Sequence, residues 1–169
     1  MRLKLTPATP DDAESVAALR NAVSDDLTFR HGKGPWTGHC TTAGVLFDLR
    51  NKKLFVATHR DDVVASLCLD TKKPWAIDRS FFTPAKRPLY LTSMAVAPEL
   101  QRQGLGRQCM AEAAKLARRL KADAVFLDAF DHPAAGAGGF YAKCGCREVG
   151  RATDRAVPLV YYELLLRET

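Results

Sequence analysis

Between Leu89 and Phe130 the chain reads as strand, glycine-containing turn, long amphipathic helix and second strand, a succession that leaves few folds open. Leu89 to Val96 is rich in β-formers and ends at Pro98. Leu105 to Lys121 places Leu105, Cys109, Ala113, Leu116, Ala117 and Leu120 on one helical face. Arg107, Lys115, Arg118 and Arg119 lie mainly elsewhere. Ala124 to Phe130 is nearly all apolar, as in a strand covered on both faces. Strand, helix and strand in that order imply a right-handed crossover and at least one parallel pair.

The flanking segments add antiparallel strands. Arg2 to Thr6 alternates as a short edge strand, and Thr9-Pro10-Asp11-Asp12 opens a helix predicted to run to Val23. Leu27 to Cys40, with Gly32, Gly34, Pro35 and Gly38, reads as a mobile loop, followed by a helix from Thr41 to Arg50. Lys53 to His59 and Val63 to Leu69 form a hairpin around Arg60-Asp61-Asp62. Asp70 to Pro88 reads as a surface loop. A short helix near Ala135 to Cys144 precedes strands near Arg147 to Ala152 and Leu159 to Leu166. The expected fold is α/β (α+β): one domain, residues 1–169, with a mixed, mostly antiparallel twisted sheet and helices on both faces.

Composition narrows the class further. An apolar share of 47% supports a sizeable core, and no apolar run approaches the length of a membrane span. Met1 to Leu5 is too short and charged for a secretory h-region, so a cytoplasmic protein without membrane contact is expected. Cys40, Cys68, Cys109, Cys144 and Cys146 are odd in number and lack a Cys-x-x-Cys pair. Reduced thiols and no metal site are expected. The net charge of +6 suits a polyanionic ligand. No Lys/Arg run or aromatic–basic motif points to nucleic acid.

Gln101-Arg102-Gln103-Gly104-Leu105-Gly106-Arg107 joins the first of these strands to the strongest helix. A helix N-terminus offers unpaired N–H groups and a partial positive charge to a phosphate. Gly104 and Gly106 permit close backbone approach and positive φ, and Arg102 and Arg107 can add charge-assisted bonds. The segment lacks the Gly-Lys-Ser/Thr of a P-loop. Cys109 stands where a dinucleotide fingerprint would need its last glycine. A plain turn before a surface helix is the competing reading.

Met94-Ala95-Val96-Ala97-Pro98-Glu99, followed by Gln101-x-x-Gly104-x-Gly106, resembles the acyl-CoA signature of the GNAT superfamily of N-acyltransferases. Further on, Phe140-Tyr141-Ala142-Lys143-Cys144-Gly145 is similar to that family's second signature. The resemblance implies an N-acetyltransferase with acetyl-CoA as cosubstrate. Met94, Ala95 and Val96 would hold the pantetheine arm as a pseudo-strand, and a backbone N–H there would polarise the thioester carbonyl. Gln101, Arg102, Gln103, Gly104, Leu105, Gly106 and Arg107 would hold the pyrophosphate, with Ala137, Phe140, Tyr141 and Lys143 completing the cofactor contacts. An amine would attack the thioester directly, and Tyr141 would protonate the departing thiolate. A core tyrosine is the competing reading of Tyr141.

The chain departs from the family pattern in places. Thr92 stands where many members carry a Glu, so Asp128, Asp131 and His132 are the candidate bases, Asp128 being preferred. Ala134 replaces a frequent Asn, and Cys146 a common aromatic. The loops carrying His31, Trp36 and His39, and Trp75, Phe81, Phe82, Lys86 and Arg87, suit a small amine that also bears a carboxylate. A monomer or homodimer is expected. A non-catalytic acyl-CoA-binding module is the alternative function.

Overall fold

The computed structural model describes residues 1–166; the last three residues of the expected domain lie outside the described residues. Seven strands and four α-helices follow in the order β1 (Thr6–Pro7), α1 (Ala13–His31), α2 (Thr42–Asn51), β2 (Lys53–His59), β3 (Asp62–Asp70), β4 (Pro88–Val96), α3 (Leu105–Arg119), β5 (Ala124–Phe130), α4 (Gly138–Lys143), β6 (Arg147–Asp154) and β7 (Val157–Leu165). The sheet order is β1-β2-β3-β4-β5-β7-β6. β4 and β5 pair in parallel, and β1–β2, β2–β3, β5–β7 and β6–β7 are antiparallel, so the mixed, mostly antiparallel α+β class is as expected. Among the described residues no helix is long and apolar enough to cross a membrane. Met1–Leu69 with Thr92–Ala113 form one compact unit, and Asp70–Leu91 with the chain from Ala114 onward form the other. β4 and α3 each contribute to both.

In the first unit, α1 and α2 bury Ala13, Val16, Ala17 and Val45 against Leu54, Val56 and Cys68 of the β2–β3 hairpin. Full burial of each Val or Leu contributes about 1.5–3 kcal/mol. A second cluster sets Leu19 of α1 against Val64, Ala95 and Ala97. The hairpin turns through Arg60 and Asp61, both at positive φ (51° and 68°), as a type I′ turn requires.

Three expectations change here. The N-terminal strand shrinks to Thr6–Pro7, although Leu3 and Leu5 are buried beside it. α1 continues past Val23 to His31 because Ser24 and Thr28 bond within the structure and Asp26 pairs with Arg30 four residues on. The loop therefore begins at Gly32. It bonds to α1: Asn21 exchanges two hydrogen bonds with the Cys40 backbone, Ser24 Oγ donates to the Trp36 carbonyl, and His39 Nε2 lies 2.6 Å from Asp25.

In the second unit, the segment before β4 is no surface loop. Ile77 and Phe82 are buried with Tyr90, Phe126, Leu159 and Tyr161. Tyr161 Oη donates to the Ala76 carbonyl, and Arg79 donates to Tyr90 Oη at 2.9 Å while lying over the Phe126 ring. Glu163 of β7, 1% exposed, accepts from the Thr83 N–H (2.9 Å) and hydroxyl (2.7 Å) and pairs with Arg147. On α3, Met110 and Ala114 join the buried face, whereas Leu120 is exposed because the helix ends at Arg119.

Burial alone would raise the Glu163 carboxyl, but Thr83 and Arg147 hold it below its ordinary value. A depressed folded value means stability that is present above the unfolded value and lost as pH falls through the folded one. In urea titrations across the acid range, the Glu163→Gln variant is expected to lose about 1–3 kcal/mol at neutral pH. Its stability should then fall less steeply with acid than that of the parent protein.

Candidate functional site

The parallel ladder between β4 and β5 comprises three pairs, Pro88↔Ala124 to Tyr90↔Phe126. β4 nevertheless runs on to Val96 and β5 to Phe130. Just past the last pair, Ser93 sits at φ 53° in the strand interior, a conformation that interrupts regular pairing and bends the strand. Backbone groups of β4 around Met94 and Val96 thus lie beyond the ladder with β5. Met94 is half-buried, and Ala95 and Val96 are buried.

The turn that follows is held from within. Ala97 N–H donates to the Val64 carbonyl at 2.8 Å, and a 3₁₀ turn covers Pro98–Leu100. Gln101 Nε2 donates to the Val96 carbonyl at 3.0 Å and Gln103 Nε2 to the Glu99 carbonyl at 3.2 Å. These two side chains brace the loop, leaving backbone N–H groups as its contribution to an anion. Arg102 (φ 62°) and Gly104 (φ 81°) both lie in the left-handed region, whereas Gly106 is an ordinary helical residue of α3. Gln108 N–H is bonded to the Gly104 carbonyl, so the N–H groups of Leu105, Gly106 and Arg107 have no acceptor inside the helix. Arg102 and Arg107 are exposed at this helix start. Their placement fits an anion-binding cradle.

In the second unit, Tyr141 is set by the end of α4. Gly145, at φ 87°, donates its N–H to the Ala142 carbonyl, and Cys146 N–H donates to the Tyr141 carbonyl. That pair of bonds is a Schellman cap, and it fixes the Tyr141 backbone. The ring packs between Phe140 and Tyr162, at 5.1 and 5.8 Å between centroids. Burial, with the nearby Cys146, Asp128 and Cys144, raises the phenol well above its ordinary value, so it stays protonated and able to donate at neutral pH. Asp128, opposite Tyr161 on β7, is also raised, chiefly by burial, with Asp154 adding to the shift.

The other candidate bases have structural duties. Asp131 pairs with Arg151 at 3.3 Å, and its N–H bonds the Pro158 carbonyl. His132 Nδ1 accepts from the N–H groups of Ala134 and Ala135, and its ring stacks on Phe130. The helix expected from Ala135 to Cys144 is only Gly138–Lys143, with the Ala137 carbonyl accepting from Phe140 and Tyr141 at its start. Phe140 is half-buried and Lys143 exposed. Of the aromatic residues in the two loops, Phe82 is core, while Trp75 is 67% exposed under the Arg155 guanidinium. All five cysteines are free, and burial raises Cys68, Cys109 and Cys146 to about 11. Among the described residues no cluster of three His, Cys, Asp or Glu is arranged to hold a metal. Ser93 was missed in the sequence because a serine carries no signal of positive φ.

A family model described as Acetyltransferase (GNAT) family matches residues 17–146. No curated protein matches. Solved structures share the fold at low identity. The Salmonella typhimurium protein yncA, with its cofactor acetyl-CoA, has a TM-score of 0.71 and 15% identity over 100% of this chain and 96% of its own. Smu.2055 from Streptococcus mutans reaches 0.73 at 19% identity, covering 97% of this chain and 99% of its own. A ribosomal-protein-alanine N-acetyltransferase from Brucella melitensis reaches 0.72 at 20%, covering 96% and 99% respectively.

The cap behind Tyr141 makes a graded prediction. An added Cβ at Gly145 meets nothing within 4 Å, so only the backbone conformation opposes substitution there. Gly145→Ala is expected to cost about 1–2 kcal/mol and Gly145→Asn less, since Asn tolerates the left-handed region. Denaturant titration of the three proteins measures the order.

Proposed function

The chain belongs to the acetyltransferase (GNAT) family, and we propose that it transfers an acetyl group from acetyl-CoA to a primary amine by direct attack, with Tyr141 as general acid. The observation that carries this reading is the three-pair β4–β5 ladder followed by Ser93 and an anion cradle on the same chain segment. An extended pantetheine arm carries amides that can bond the backbone near Met94 and Val96 as an added strand would. The pyrophosphate then falls to the N–H groups of Leu105 to Arg107, with Arg102 and Arg107 supplying charge. That yncA was solved with acetyl-CoA supports the choice of cofactor.

Acetyl transfer needs a proton donor for the leaving thiolate and a route for the proton lost by the amine. Tyr141 suits the first task because a phenol is protonated at neutral pH and burial raises it further. Asp128, whose carboxyl is raised by burial, suits the second better than Asp131 or His132, both occupied structurally. The acceptor in this reading is a small amine that also carries a carboxylate, met in the cytoplasm; no metal enters the chemistry.

The test is acetyl-CoA turnover, read as thiol release, against a panel of amino acids, alanyl peptides and polyamines. Tyr141→Phe is expected to lower kcat by about 10²–10⁴-fold with little change in acetyl-CoA affinity. An unchanged kcat removes Tyr141 from the mechanism. Tight acetyl-CoA binding without turnover on any amine favours a non-catalytic binding module. Preference for polyamines refutes the carboxylate-bearing acceptor.

A further inference from the structure

A hollow of about 460 Å³ opens in the first unit, and none of the residues given a cofactor or acid–base role above lines it. Its floor is the cluster of Leu19, Val64 and Ala97, with Val63 and Leu100 packed against it. Ser15, Ala18 and Ala22 of α1 line one side. Their spacings of three and four residues put them on one helix face, and their short side chains leave the space unfilled. His59, Arg60 and Asp62 of the β2–β3 hairpin line a second side, and Pro98 and Glu99 of the 3₁₀ turn a third. The Ala97 N–H bonds the Val64 carbonyl at 2.8 Å, tying the hairpin to the turn, so the hollow is preformed.

The rim carries charge of both signs. Arg60 is positive, Asp62 and Glu99 are negative, and all three are exposed. None of them enters an ion pair among the described residues. An apolar floor beneath unpaired charges of both signs suits a ligand with an apolar body and two oppositely charged ends. The volume of about 460 Å³ falls toward the small end of ligand sites, which run roughly 300–1,000 Å³. Arg60 and Glu99 come from different walls, so the two ends of the ligand must be separated. Two extended residues span about 7 Å.

We propose that this hollow binds a free dipeptide with apolar side chains, its carboxylate on Arg60, its ammonium on Glu99 and Asp62, and its side chains on the floor. A guanidinium pairs a carboxylate through two parallel hydrogen bonds, which fixes that end. A single amino acid carries its two charges too close together and leaves most of the floor bare. A peptide with blocked ends leaves the rim charges unmet. Through the 3₁₀ turn the occupant also acts on the cradle. Gln101 N–H bonds the Pro98 carbonyl at 3.3 Å, and Gln103 Nε2 bonds the Glu99 carbonyl at 3.2 Å. A filled hollow therefore steadies the turn from which Gln101 to Arg107 extends, and by linkage dipeptide and acetyl-CoA tighten each other by one factor. This coupling rests on the cradle holding acetyl-CoA; the dipeptide site does not.

The experiment is an amide chemical-shift titration of the full chain with leucyl-leucine, set beside leucine, N-acetyl-leucyl-leucine and leucyl-leucinamide. Saturable shifts are expected at Leu19, Val63, Val64 and Leu100. Each of the other three compounds, and the dipeptide on Arg60→Ala, should bind at least about tenfold more weakly. Ala18→Phe, at an exposed helix position, should keep its thermal midpoint and its acetyl-CoA affinity while losing the dipeptide. In calorimetric titrations, saturating dipeptide should lower the acetyl-CoA Kd about fivefold in the parent protein and leave it unchanged in Ala18→Phe. Shifts that are absent or confined to other segments, blocked peptides or leucine binding as tightly as the dipeptide, or full binding to Ala18→Phe each overturn the site. Binding in the hollow with an unchanged acetyl-CoA Kd overturns the coupling. Failure of acetyl-CoA to bind at all removes the cofactor reading and the coupling with it, while the shift titration still decides the site.

Discussion

A parallel ladder that stops while both its strands continue is the constraint on which the site depends. Backbone N–H and C=O groups are obligatory hydrogen-bonding groups, and leaving them unmet in a folded interior is costly. β4 abandons β5 after Tyr90↔Phe126, and Ser93 holds the strand in a conformation that prevents simple resumption. A ligand that carries peptide-like amides is the natural partner for such an edge. The pantetheine arm of coenzyme A has that chemistry. Its pyrophosphate lies at one end, as the order strand, cradle and helix requires.

The parts that serve this edge are stiffened by ordinary means. Gln101 and Gln103 spend their amides on carbonyls of the turn, so the cradle is braced by side chains and presents backbone. In the other unit, Glu163 gathers Thr83 and Arg147, and Tyr161 fastens the segment around Ala76 and Asp78. Tyr141 inherits its placement from the cap at Gly145, and burial raises further a phenol that is already protonated at neutral pH. Positioning comes first, and the raised phenol follows from it.

Much of this was legible in the sequence, for stated reasons. The helix Leu105–Arg119 and the strands Lys53–His59 and Ala124–Phe130 are strongly patterned, and they appear with nearly the predicted bounds. α1 is longer than its spacing predicts, because a buried hydroxyl and an ion pair carry the helix past Val23 to His31. The segment from Asp70 to Pro88 looked like surface because its anchors, Tyr161 and Glu163, are about eighty residues away. Candidate bases at Asp131 and His132 could be separated from Asp128 only once their partners Arg151 and Ala135 were placed. Sequence spacing shows chemistry along the chain; it is silent on who holds whom across it.

The central claim is that the edge of β4 and the start of α3 together hold acetyl-CoA. Residue-resolved amide hydrogen exchange, with and without acetyl-CoA, tests it most directly. The account predicts added protection at Met94, Val96, Leu105, Gly106 and Arg107, where backbone groups would gain pantetheine and phosphate partners. Protection confined to other segments, with these amides exchanging as before, would contradict it.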